Sequence, residues 1–121
     1  MSDFSFHYVD LPGARLHCAE IGPADGPLVV LLHGFPQFWY SWRDIAPRLA
    51  DAGYRVVAPD QRGYNFSSKR GPFTVAALTQ DIVNLVNALG QPRAHIVGHD
   101  WGGAIAWALG SARPEVVDRL A

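Results

Sequence analysis

Cysteine occurs once in these 121 residues, at Cys18, so the chain has no internal disulfide. The apolar setting of Cys18 marks it as a small core residue rather than a reactive thiol. Long hydrophobic runs are missing as well. The longest aliphatic stretch, Leu28 to Leu32, is strand-sized and far short of the ~20 residues of a membrane span. Met1 to Asp10 has no positive segment leading into an apolar core, which argues against a secretory leader and makes the cytoplasm the expected location. Neither sign of charge is in excess, with ten basic residues against eleven acidic ones, 17% charged and 49% hydrophobic overall. That balance excludes a disordered chain and offers nothing to nucleic acid or a membrane surface. Repeats, low-complexity tracts and charge runs are absent too, and the length suits one domain that can bury a core.

What is present alternates in type. Phe4 to Val9 and Arg15 to Ile21 read as two strands joined by the turn Leu11-Pro12-Gly13-Ala14, a hairpin. Leu28 to Leu32 is apolar without a break, as befits a strand covered on both faces. Phe38 to Arg43 and Pro47 to Ala52 read as two helical pieces, because Pro47 fits a first turn and not an interior. Trp39, Tyr40 and Trp42 in this region read as core or pocket wall. Arg55 to Pro59 is the next strand, and Asp60 to Pro72 is a glycine-punctuated loop. A helix then starts at the N-cap Thr74 and lines up Val75, Leu78, Ile82, Leu85 and Leu89 on one stripe, with Gly90 and Pro92 ending it. Ala94 to Val97 is a buried strand, and Gly102 to Arg113 a helix stopped by Pro114. Strands alternating with helices in this way predict a mostly parallel sheet wrapped by crossovers, with the hairpin at one edge. Functional groups then gather beyond the carboxyl ends of the strands, where His33 to Pro36, Asp60 to Tyr64 and His99 to Trp101 all fall.

One of those loops carries a charge in a cramped place. In Gly98-His99-Asp100-Trp101-Gly102-Gly103, glycines stand two positions either side of Asp100 at a predicted strand-to-helix turn. The pattern has the form GxSxG of a nucleophile elbow, with aspartate in the serine position. Aspartate before a helix also serves as a plain N-cap. The glycine bracket, the buried preceding strand and the two companion loops favour the nucleophile.

HGFP at His33 to Pro36, DQRGY at Asp60 to Tyr64 and GHDWGG at Gly98 to Gly103, in that order and each after a predicted strand, resemble the α/β-hydrolase superfamily, specifically its epoxide hydrolase and haloalkane dehalogenase branch. The resemblance covers nearly the whole chain. It implies that Asp100 is a nucleophile, with the backbone N–H groups of Trp101 and Phe35 as an oxyanion hole and with Phe35, Pro36 and Trp101 at the substrate pocket. It further implies that His33, Gly34, Gly98, His99, Gly102, Asp60 and Arg62 support the site, and that the Phe35-Pro36 bond is a candidate for the cis form. A carboxylate suits attack at a saturated carbon, because it leaves an ester that water can cleave, whereas serine would leave an ether. His7, His17 and His95 have no metal-ligand spacing, and no Lys-Ser or Lys-Thr follows the glycines, so neither a metal, a phosphate loop nor any other cofactor is expected.

Two positions separate the branches. Haloalkane dehalogenases generally carry asparagine where this chain has Phe35, and haloacetate dehalogenases arginine where it has Trp101. Both departures favour a small-molecule epoxide as substrate over a haloalkane or haloacetate. The resemblance then implies ring opening by Asp100, protonation by two cap-domain tyrosines, and hydrolysis of the ester by water that a histidine activates. No histidine follows Asp100, although the family order puts one there. Residues 1–121 are therefore expected to be the N-terminal part of one core domain, cut after the helix that follows the elbow, lacking the cap and the C-terminal half and inactive alone. The strand Ala94 to Val97 is expected to lack its next neighbour, so that poor solubility or oligomers follow. A non-catalytic binding module that keeps the elbow as scaffold is the alternative of another class.

Overall fold

The computed structural model describes residues 4–121; residues 1–3, which entered the leader argument, lie outside it. Three features of the chain build its sheet. The Pro12-Gly13 pair closes a two-residue connection between β1 (Ser5–Leu11) and β2 (Ala14–Ile21), which pair antiparallel with Leu11 opposite Ala14. The hairpin thus runs further into the turn than its alternation pattern suggests, because backbone pairing continues where the side chains stop alternating. The unbroken aliphatic run becomes β3 (Leu28–Leu32), buried at every residue. It lies parallel to β4 (Arg55–Pro59) on one side and β5 (Ala94–Gly98) on the other. β4 also takes the hairpin, antiparallel, through β2.

Why a strand needs that run is visible in the two cores. Leu28, Val30 and Leu32 face one core with Ile82, Leu85, Ile105 and Leu109, whereas Val29 and Leu31 face the other with Trp42, Ala46 and Val56. Successive side chains point to opposite faces, so a strand with helices on both sides must be apolar throughout. The first core lies under α2 (Val75–Ala88) and α3 (Trp101–Ala112); the second lies under α1 (Ile45–Asp51) and the 3-10 turn Trp39–Trp42. Of the three aromatics there, Trp42 is buried while Tyr40 is exposed under the Arg43 guanidinium. Thr74 caps α2 as expected, its hydroxyl accepting the Ala77 N–H at 3.1 Å. Val75, the first member of the expected stripe, is exposed instead of buried, because the opening turn of α2 stands at the rim of a cavity.

The expected loss of a neighbour to β5 is corrected. Pro114 stops α3, a 3-10 turn over Pro114–Val116 buries Val116, and β6 (Val117–Leu120) returns parallel to β5. Gly98 N–H donates to the Ala121 carbonyl at 2.9 Å. The four residues Val-Asp-Arg-Leu have no alternation that marks a strand; pairing with β5 makes them one. The sheet order is β1-β2-β4-β3-β5-β6, so among the described residues the outermost strand on this side is β6, which carries Asp118 and Arg119. No helix among the described residues is long and apolar enough to cross a membrane.

Candidate active site

The site begins where β5 stops. Only His99 and Asp100 separate β5 from α3, so the chain must reverse within two residues. Asp100 does this at φ 59°, ψ −121°, left-handed space that costs an L-residue free energy. A Cβ on Gly98 would collide with the Gly102 carbonyl, and one on Gly102 with the Leu32 carbonyl; the two glycines let strand, helix and β3 close around the corner. His99 serves the corner with its backbone, donating to Leu32 O at 3.1 Å and accepting from Gly102 N–H at 2.9 Å, while the residue itself is exposed.

At this corner the Asp100 side chain turns outward. It is exposed and makes no capping hydrogen bond to α3, unlike an ordinary N-cap aspartate. Its Oδ2 accepts the Phe35 N–H at 3.1 Å. The Trp101 N–H first, and the Phe35 N–H second, hold the carboxyl below the usual carboxylate range, against a smaller opposing effect of desolvation. A negative oxygen therefore sits exposed between two backbone donors.

The second donor comes from the loop after β3. Gly34 lies so close that a Cβ there would be 2.6 Å from the Asp100 Cβ. The Phe35-Pro36 peptide is cis. His33 is buried, and both ring nitrogens are used: Nε2 accepts the Gln61 N–H at 3.0 Å, so Nδ1 carries the proton and donates to Gly34 O at 3.0 Å. Burial lowers its pKa, keeping the ring neutral. In return the Gln61 side chain donates to His33 O at 2.8 Å, tying the first loop to the second.

The second loop is pinned by its charged residues. Asp60 is fully buried, taking the Trp39 N–H at 2.8 Å on Oδ1 and pairing with His17 Nδ1 at 2.7 Å on Oδ2, where Asn65 also donates. Arg62 forms a two-pronged pair with Asp81 of α2, at 2.8 and 2.7 Å, which raises the guanidinium pKa further. The partners His17 and Asp81 were missed in the sequence. Asp81 precedes Ile82 of the apolar stripe, and a buried-side acid next to a stripe was the available signal; His17 left none, being one of several histidines on strands.

Phe35, Trp101, Tyr64, Phe73, Leu78 and Ile105 line a cavity of about 520 Å³ beside the corner. Pro36, expected in the pocket wall, is exposed and does not line this cavity. Tyr64, which sequence reasoning left unassigned within its motif, meets His33 edge-on at 4.7 Å, and burial together with the Asp100 charge raises its phenol pKa. His99 lines a different, smaller hollow with Gln37 and Trp42. The structure thus brings Asp100, Phe35 and Trp101 together, with His33, Gly34, Gly98, Gly102, Asp60 and Arg62 as their scaffold.

Comparison with known proteins matches the chain to a family. The family model described as the alpha/beta hydrolase fold matches residues 27–121. An AB hydrolase superfamily protein of Bacillus subtilis, YfhM, is 48% identical over 123 residues, covering 99% of this chain and 43% of that protein. Epoxide hydrolase B of Mycobacterium tuberculosis is 49% identical over 108 residues, covering 85% and 30% respectively. Among solved structures, an epoxide hydrolase from Vigna radiata superposes with TM-score 0.92 at 40% identity, over 97% of this chain and 37% of that one. An epoxide hydrolase from an endophytic Streptomyces gives 0.92 at 45% identity, over 97% and 36%. The chain spans less than half the length of these relatives.

Proposed function

The chain belongs to the α/β-hydrolase family, and on that premise we propose that Asp100 is the nucleophile of an epoxide hydrolase-like reaction. A carboxylate oxygen attacks a ring carbon, the carbon–oxygen bond of the epoxide breaks, and the departing oxygen takes up a proton, leaving a hydroxyalkyl ester on Asp100. Water then attacks the ester carbonyl. The oxyanion that develops is held by the Phe35 and Trp101 N–H groups, and collapse releases a vicinal diol. The observation that carries this reading is the exposed Asp100 carboxylate, held at a strained backbone corner with the Phe35 N–H at 3.1 Å. Two further points support it: epoxide hydrolases recur among the similar proteins, and Phe35 and Trp101 stand where the dehalogenase patterns have other residues.

The second step needs a base. His33 has both nitrogens committed and is buried, and no histidine follows Asp100 in the sequence. Within these residues any ester that forms on Asp100 should therefore persist without turnover. Incubation with a styrene-oxide-like epoxide and intact mass spectrometry test this: one added epoxide mass, mapped to Asp100 by proteolysis and lost in Asp100→Asn, is the expected result. Adduct with a haloalkane but not with an epoxide would move the assignment to dehalogenation. No adduct with either would leave a non-catalytic binding module.

A further inference from the structure

The loop that presents Phe35 has a donor inventory that assigns work to a residue outside the motif. Between Gly34 and Gln37 there are three backbone N–H groups, since Pro36 has none. Gln37 N–H closes the turn onto Gly34 O at 2.8 Å. Gly34 N–H donates to the Gln37 side-chain Oε1 at 3.0 Å. Phe35 N–H is left, and it goes to Asp100. Gly34 is buried, and its Cα is close enough to Asp100 that a Cβ would stand 3.1 Å from Oδ2. Without the Gln37 oxygen, an unsatisfied buried N–H would lie beside a carboxylate, and such a group takes whatever acceptor it can reach.

We propose that Gln37 is a positioning residue: its side-chain oxygen occupies the Gly34 N–H, so that the neighbouring Phe35 N–H alone is presented to Asp100. This rests on the nucleophile reading for its catalytic meaning, though not for its geometry. Gln37 is half-buried beside the loop, does not line the 520 Å³ cavity, and acts through the turn it closes twice, once by backbone and once by side chain.

Amide NMR across an acid titration tests it, because an N–H bonded to a carboxylate follows the ionisation of that group. In the parent protein, the Phe35 amide should follow Asp100, the Gly34 amide should not, and Asp100→Asn should abolish the response. Gln37→Leu keeps bulk but removes the acceptor; the Phe35 response should fall by about half or more and a response should appear at Gly34. Gln37→Glu returns an oxygen and should restore the Phe35 response to Asp100, a rescue that loss of packing alone would not give; Gly34 then follows the new carboxylate at position 37 that it meets, a response that should persist when Asp100→Asn is added. An unchanged Phe35 response with a silent Gly34 in Gln37→Leu overturns the proposal. So does a Gln37→Glu protein in which the Phe35 response stays below that of the parent, and this arm decides the matter if Gln37→Leu does not fold. The two readings fail separately. Styrene oxide adduct at Asp100 with the Gln37→Leu pattern unchanged sinks this inference alone; no adduct in the parent, with the response transferred to Gly34 in Gln37→Leu, sinks the nucleophile and supports this one.

Discussion

Asp100 is placed where its backbone is strained and its charge is favoured, two effects that pull in opposite directions on substitution. Glycine tolerates φ 59° without penalty, so Asp100→Gly should raise the melting temperature, by about 3 °C, while abolishing adduct formation. Scanning calorimetry and mass spectrometry on one preparation read both; a lower melting temperature would mean that the carboxylate's backbone contacts outweigh the strain of the corner. The lowered carboxyl pKa has a pH signature. Because the folded value lies below the unfolded one, the group stays ionised and nucleophilic at pH values where an ordinary carboxylate would have taken up its proton. Any stability it contributes is complete above the unfolded pKa and is lost as pH falls through the folded value. The rate of Asp100 alkylation should therefore stay level down to pH 4 or so, just above the ordinary carboxylate value. A profile that declines from pH 6 would argue for a titrating partner instead.

Among the elements, the loop after β4 and the helix α2 are joined by one ion pair. Arg62 and Asp81 are both buried and meet through two hydrogen bonds, so removing one partner leaves an unpaired charge that can reach water only by distorting the loop. Asp81→Asn should cost about 3 kcal/mol in urea unfolding, the low end for such pairs because Arg62 also borders the open cavity. Tyr64, two residues along from Arg62, should then lose its fixed place against His33, and the cavity wall its definition. A cost below ~1 kcal/mol would show that the loop is held by Asp60 alone.

Across the whole molecule, the sheet buries its one thiol at the centre of the larger core. Burial, reinforced by the charges of Asp60 and Glu20, pushes the Cys18 pKa up to about 12, and the residue is 0% exposed. At pH 8 the thiolate population falls about 10³-fold below that of a free cysteine. Iodoacetamide should accordingly leave the native protein unmodified and label it fully in denaturant, which makes Cys18 a reporter of global unfolding. Rapid labelling under native conditions would mean that β2 separates from β4 without the rest of the sheet unfolding.

Much of this was legible in the chain because the signals are local. A five-residue aliphatic run bounded by turn residues is strand-sized and fits a strand covered on both faces; Thr74, Gly90 and Pro92 bound a helix by their own chemistry; and glycines around Asp100 mark a tight corner. Sequence by itself thus determined the order of elements, the sheet type and the residues of the corner. Tertiary structure decided what depends on partners far apart in the chain: that Val117–Leu120 is a strand, that Asp81 answers Arg62 and His17 answers Asp60, that Pro36 does not line the cavity, and that the Asp100 carboxylate meets the Phe35 N–H. A hydrogen bond or ion pair is a property of two groups brought together, and no local pattern encodes the approach of the second.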